Sequence, residues 1–236
     1  KSQGYLILKN IINKKILADL NKDADLMISN YKKGIYNNQA ASAASKKDWK
    51  QKGDISQKGK MFLSNQCEFY PNIDKYAKGS IVKNIAKKIL GKKIYLFNEQ
   101  IVNKEPNTKS NFSWHQDSGY INFLHKPYLS IWLALSDTDE NNGCLSVFPT
   151  DLNKVKSNKN HQWSNKTKDL VIKVNEKKAS SCPLEAGSAL VFSSLTPHSS
   201  GANRTNRNRK GYLTQYSSEP LVNPVSGFAF SRTLLL

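Results

Sequence analysis

The sequence predicts an α+β chain, mainly β, folded as a double-sheet jelly roll with N-terminal helices packed outside. Three observations carry this. Apolar residues recur at helical spacing in two stretches before residue 92. After Gly91 the chain breaks into about seven short strand-like runs separated by turn residues. Helices followed by a long series of strands fit an α+β protein whose strands close into two packed sheets.

The elements follow in order. GYLILKN alternates weakly and reads as a short strand. In NKKILADLNKDADLMISNYKKG the residues Ile16, Leu17, Leu20, Leu26 and Met27 share a helical face, and Gly34 is the expected stop. Residues 37–60 are polar, small and lysine-rich, which predicts a mobile loop and a candidate lid. SIVKNIAKKILG predicts a second helix closed by Gly91. The strand-like runs are KIYLFNEQIVNKEP, SNFSWHQDSGYINF, YLSIWLALSD, GCLSVFPT, DLVIKVN, SALVFSS and RKGYLTQYSS. Between them, residues 150–169 form a polar stretch expected to be a surface insertion and a second candidate lid. No internal repeat or linker divides the chain, so residues 1–236 are expected to form one domain.

Composition narrows the function classes. Hydrophobic residues make up 38% of the chain, and no run of eighteen apolar residues suggests a membrane span. The apolar stretch near the N-terminus is short, is broken by Lys9 and Asn10, and lacks a small-residue cleavage site, so no secretory signal is expected. Cys67, Cys144 and Cys182 lie far apart without a CxxC spacing, which points to a reducing cytoplasm. The formal net charge of +18 is almost all lysine spread along the chain, accompanied by abundant Asn and Ile. Without a basic stripe interleaved with aromatics, this is compositional drift rather than a nucleic-acid surface. Only four arginines occur, and Arg204, Arg207 and Arg209 fall within six residues, where a planar guanidinium fork is needed.

The sharpest chemical signal is His115-Gln116-Asp117 in the run FSWHQDSGY. On a strand, residues i and i+2 project to one face, so an imidazole and a carboxylate emerge together. His198, in LTPHSSG, offers a second imidazole; His125 and His161 stand in loop-like settings. Two His and one carboxylate form the facial triad of non-haem Fe(II) oxygenases, which leaves positions open for a chelating co-substrate and O₂. The turn-rich GANRTNRN then reads as a hairpin connection that sets Arg209 across from the His198 strand. With Arg209 inward, Gly211, Leu213 and Gln215 share its face, and the guanidinium could pair with the far carboxylate of a dicarboxylate chelator. Arg209 is otherwise a surface turn arginine. Ser200 lies two residues beyond His198, on its face, and could add a hydroxyl. In YLSIWLALSD, Leu129, Ile131, Leu133 and Leu135 are expected to pack on helices, while Tyr128, Ser130, Trp132 and Ala134 face the interior. Trp132 either walls a cofactor pocket or is simply core. NNGCL reads as a turn into a strand, and Gly187 as the bend before the strand leading to His198.

With WHQDSGY, IWLALSDTDENNGCLSVFP and LEAGSALVFSSLTPHSSGANRTNRNRKGYLTQY in this order, the chain resembles the phytanoyl-CoA dioxygenase family over most of residues 95–216. GYLILKNII resembles the family's opening strand. The resemblance implies a double-stranded β-helix that uses Fe(II), 2-oxoglutarate and O₂ to hydroxylate a small organic metabolite, releasing succinate and CO₂. By position it implies that His115, Asp117 and His198 ligate iron and that Arg209, eleven residues after His198, binds 2-oxoglutarate. Ser200 and Trp132 match further co-substrate contacts. The family usually continues its NGCL segment into Pro-Gly-Ser-His; here Pro149-Thr150-Asp151 leads into a Lys/Asn-rich insertion, so the family's name does not give the substrate. Some relatives are halogenases with a small residue in place of the acidic ligand, and the presence of Asp117 implies hydroxylation. The expected partner is a small-molecule substrate, acidic if the basic charge is functional, and the expected assembly is a monomer or homodimer. The alternative is a non-catalytic jelly roll that binds a sugar or an anionic metabolite.

Overall fold

The computed structural model describes residues 3–35, 59–155, 157, 159–167, 169–227, 229 and 233–235. Strand β1 (Tyr5–Leu8) opens the chain, followed by helix α1 (Lys14–Lys32). Asn13 caps α1 by accepting from the Ile16 N–H at 2.9 Å. The chain leaves α1 through Gly34 at φ 72°, a left-handed position suited to glycine. Strand β2 (Lys60–Ser64), a 3₁₀ turn (Cys67–Phe69) and helices α2 (Pro71–Ala77) and α3 (Ser80–Leu90) follow. Helix α2 starts at Pro71 without a side-chain cap of its own. The buried Asp23 of α1 serves instead, accepting from the Asn72 and Ile73 N–H groups at 2.8 and 3.2 Å.

The remaining elements are strands: β3 (Ile94–Lys104), β4 (Phe112–His115), β5 (Leu129–Ala134), β6 (Leu145–Val147), β7 (Gln162–Ser164), β8 (Asp169–Val171), β9 (Ser180–Cys182), β10 (Ala189–Ser193), β11 (His198–Ser200), β12 (Arg209–Ser217) and β13 (Thr233–Leu235). The major sheet runs β1-β10-β5-β12-β3-β13, with β2 also on β3; the minor sheet runs β4-β11-β6-β9; β7 and β8 pair separately. The predicted double-sheet architecture and its mainly β character are present.

Side-chain parity divides the major sheet as expected. Its outer face, including Met61, Leu63, Ile101, Ile131, Leu133 and Tyr212, forms one core with Leu20, Met27, Ile73 and Val82 of the helices. Its inner face, including Trp132, Ala134 and Leu213, forms a second core with Leu145, Val147 and Cys182 of the minor sheet. Long strands therefore form a wall between helices on one side and a site-bearing interior on the other.

Three expectations need correction. Strand β12 pairs with β3 and β5, and β11 pairs with β4 and β6, so the His198 and Arg209 strands are not a hairpin. The GANRTNRN connection instead carries the chain from the minor to the major sheet, because the inward face of β12 is needed opposite the histidines. The segment 150–169 is not simply a surface loop, since it contributes β7 and the start of β8 and packs on β4. Strand β2 and helix α2 had no clear periodic signal and were not anticipated. Of the expected loop at 37–60, only residues 59 and 60 fall within the described residues. Among the described residues no helix is long and apolar enough to cross a membrane.

Candidate active site

His115 is the last residue of β4. Gln116 continues extended, at φ −113° and ψ 135°, and Asp117 begins a 3₁₀ turn (Asp117–Tyr120). The expected i, i+2 parity therefore holds through one extended residue, although Asp117 itself has left the strand. His198 opens β11 as the register partner of His115. The two imidazole centroids lie 4.1 Å apart. His115 Nε2 is 3.5 Å and His198 Nε2 is 3.4 Å from Asp117 Oδ1. All three side chains are buried, and their ligand atoms lie within 4.8 Å of one another.

The hydrogen bonds around this trio leave donor atoms aimed inward. His115 Nδ1 contacts the Ser113 carbonyl at 2.8 Å, and His198 Nδ1 contacts the Thr196 carbonyl at 3.1 Å. A carbonyl can only accept, so each Nδ1 carries the proton and each Nε2 keeps its lone pair toward the other ligands. Asp117 Oδ2 faces the opposite way, accepting from Ser130 Oγ at 2.6 Å and Gln215 Nε2 at 2.9 Å. Gln215 is fixed in turn, its Oε1 accepting from Asn98 Nδ2 at 2.7 Å. Burial, and then the neighbouring His115, hold His198 down at about 4. Burial opposes ionisation of Asp117, but His198, His115 and the Ser130 hydroxyl outweigh it and bring the carboxyl to about 2. A neutral imidazole and an ionised carboxylate are the forms that ligate a divalent metal. The donor set fits an iron ion.

Across the interior lies a row of buried cations. Lys60, Lys104 and Arg209 are register partners on β2, β3 and β12, so their side chains share the inner face. Among the described residues their only carboxylate within ion-pair reach is Asp169, 3.9 Å from Lys60. Arg209 is 1% exposed; its Nη2 donates to the Gly143 carbonyl at 2.8 Å, and its Nε has no partner among the described residues. Burial lowers the guanidinium to about 10. Trp132 stacks beneath it, with Cζ 5.3 Å from the ring centroid. Gly211 leaves room for that indole, since a Cβ there would come within 2.0 Å of Trp132 Cζ2. Ser200 Oγ accepts from Lys104 Nζ at 2.8 Å.

The sequence-predicted residues thus converge in two groups, the triad and the Arg209–Trp132–Ser200 cluster. Five others were missed in their roles. Ser130 and Gln215 are inward by strand parity, but nothing in the sequence pairs them with Asp117. Asn98 and Lys104 lie on β3, whose burial on both faces conceals parity. His161, read as a loop histidine, accepts from the Gln116 N–H through Nε2 at 3.0 Å, with its Nδ1 on the Lys159 carbonyl at 2.8 Å.

The family model for phytanoyl-CoA dioxygenase (PhyH) matches residues 1–211. A 2-aminoethylphosphonate dioxygenase from the uncultured bacterium HF130_AEPn_1 is 23% identical over 220 residues, covering 92% of this chain and 78% of that protein. A probable alpha-ketoglutarate-dependent hypophosphite dioxygenase from Stutzerimonas stutzeri is 24% identical over 164 residues, covering 66% of this chain and 56% of that protein. Among solved structures, EvdO2 from Micromonospora carbonacea var. aurantiaca, complexed with 2-oxoglutarate, matches with a TM-score of 0.70 at 19% identity, covering 94% of this chain and 89% of that one. The epimerase SnoN, in complex with Fe3+, alpha ketoglutarate and nogalamycin RO, matches with a TM-score of 0.67 at 16% identity, covering 92% and 79%. These structures share the fold of the chain.

Proposed function

The chain belongs to the phytanoyl-CoA dioxygenase family and is an Fe(II)- and 2-oxoglutarate-dependent dioxygenase; on that premise we propose that it hydroxylates a small acidic metabolite at a site built from His115, Asp117, His198 and Arg209. Family membership sets aside the binding-only alternative. One observation carries the assignment of residues: two Nε2 lone pairs and one carboxylate oxygen converge within 4.8 Å, opposite a buried arginine whose Nε lacks a partner among the described residues. Three protein donors leave coordination positions open for a chelator and O₂.

Iron and 2-oxoglutarate, when bound, supply the oxygen activation, and the protein supplies position and shelter. His115, Asp117 and His198 hold the metal. Ser130 and Gln215 keep Asp117 Oδ2 turned away, so the carboxylate offers Oδ1. Arg209 presents its fork to the distal carboxylate of 2-oxoglutarate, Trp132 backs the guanidinium, and Ser200 offers its hydroxyl. Burial of all these groups keeps bulk water from the reacting centre. The segment 150–169 is the proposed lid of one catalytic domain.

For the substrate we favour an oxyanion, with phosphonates first. Two relatives are a 2-aminoethylphosphonate dioxygenase and a probable hypophosphite dioxygenase. A reducing cytoplasm suits the three buried cysteines, none of which forms a disulfide among the described residues. The test is succinate release from Fe(II)-loaded protein against a panel of phosphonates, carboxylates, acyl-CoA esters and neutral compounds of similar size. A phosphonate should stimulate release above the uncoupled background. Stimulation by neutral compounds alone would overturn the acidic-substrate reading, and absence of 2-oxoglutarate turnover with every compound would count against the site assignment.

A further inference from the structure

We propose that Lys104 is a positioning residue for the 2-oxoglutarate site, acting through the Ser200 hydroxyl to select a co-substrate with a distal carboxylate. The proposal rests on the reading that Arg209 and Ser200 receive that carboxylate. Lys104 is fully buried at the end of β3, the register partner of Arg209. An ammonium in the interior needs compensation by hydrogen bonds or by an anion. Its Nζ donates to the Ser200 carbonyl at 3.1 Å, to Ser200 Oγ at 2.8 Å and to the Gly201 carbonyl. These three acceptors use all three ammonium protons. No carboxylate lies within ion-pair reach of Lys104 or Arg209 among the described residues.

The consequence concerns Ser200. Its Oγ accepts from a cation, so its own proton must point elsewhere, and no acceptor for it is found among the described residues. Ser200 is 7% exposed and shares the interior with Arg209. A carboxylate arriving beside Arg209 can accept a hydrogen bond from that hydroxyl and complete the network. Lys104 therefore does three things at once: it ties the end of β11 to the major sheet, turns the serine into a donor, and adds positive charge beside the guanidinium. Burial, then Arg209 and Lys60, push its own pKa well below the ordinary lysine range, which an incoming anion would reverse.

The test compares binding of 2-oxoglutarate and of 2-oxopentanoate, which chelates alike but lacks the distal carboxylate. Titrations are anaerobic, on the Fe(II)-loaded protein, followed by the visible absorption of the chelate. Lys104→Met should weaken 2-oxoglutarate on the order of tenfold, the value of a hydrogen bond to a charged group, and leave 2-oxopentanoate unchanged. In turnover, KM for 2-oxoglutarate should rise while kcat at saturation holds. Ser200→Ala, which keeps Lys104 and its other two hydrogen bonds, should reproduce the selective loss, and the double variant should lose no more than either single one. Equal weakening of both ligands by Lys104→Met would reduce Lys104 to a structural prop. Additive losses in the double variant, or an unaffected Ser200→Ala, would likewise overturn the proposal. Arg209→Met separates the underlying reading: selective loss there with none in the Lys104 and Ser200 variants sinks the proposal alone, and an Arg209→Met protein that still prefers 2-oxoglutarate sinks both.

Discussion

The two sheets divide the work of the site unequally. The minor sheet supplies two of the ligands, His115 and His198, from strands of four and three residues, and the third, Asp117, from the turn that follows. The major sheet supplies no ligand, yet strands of six, nine and eleven residues carry Ser130, Gln215, Asn98, Lys104 and Arg209. Short strands rely on few ladder bonds for their position. The long sheet, with helices on its outer face, is the more rigid body. The site thus places its ligands on the weaker sheet and reaches across with side-chain bonds from the stronger one. Asp117 is where the two meet, one oxygen toward the histidines and the other held by Ser130 and Gln215.

The predictions probe that division. Removing a minor-sheet ligand should have the largest effect: Asp117→Ala is expected to abolish 2-oxoglutarate-coupled turnover and Fe(II) retention, measured by succinate release and metal analysis after gel filtration. Retained activity would end the ligand assignment. Next is the major-sheet support. Gln215→Leu should lower Fe(II) affinity by about ten- to hundredfold, the usual cost of losing a group that orients a metal ligand. Metal titration followed by intrinsic fluorescence measures it, and an unchanged affinity would mean that the minor sheet holds Asp117 unaided. Arg209→Lys keeps the charge but loses the planar fork, so KM for 2-oxoglutarate should rise by about tenfold with Fe(II) affinity intact. A shift in metal affinity instead would break the separation between the ligand-bearing sheet and the sheet proposed to bind the co-substrate.

The same division explains what could be read in advance. The triad was legible because histidine is rare in this chain and two imidazoles with an HxD spacing have few other uses. The inward placement of Arg209 was legible because lysine supplies nearly all other positive charge and strand parity sets its face. The outer and inner faces of β5 and β12 followed from alternation, since one face meets helices and the other meets the site. The supports were not legible. Asn98 and Lys104 sit on β3, where nine of eleven residues are buried and both faces read alike. The partnership of Gln215 with Asp117 spans 98 positions and depends on how two sheets stack, which no local pattern encodes. The hairpin expected between β11 and β12 failed for a related reason: turn residues announce a reversal, not which sheet the next strand joins.

His161 tests whether the minor sheet also takes support from its own side. It comes from the Lys/Asn-rich segment that departs from the family pattern, and its Nε2 accepts from the N–H of Gln116, between two ligands. Its ring also covers Gly119, where an added Cβ would meet His161 Cε1 at 2.5 Å. Both ring nitrogens are engaged, so the ring cannot swing aside without losing a hydrogen bond. His161→Phe leaves the Gln116 N–H without its acceptor and should cost about 1–3 kcal/mol of stability, with a smaller, few-fold loss of Fe(II) affinity. Gly119→Ala should destabilise by a similar amount because ring and methyl compete for one space. In a His161→Ala background the same Gly119→Ala change should cost almost nothing, since the obstacle is gone. Urea unfolding of the four proteins closes this cycle. Additive effects would mean that the 3₁₀ turn carrying Asp117 stands without the insertion, and that its position is set by the major sheet alone.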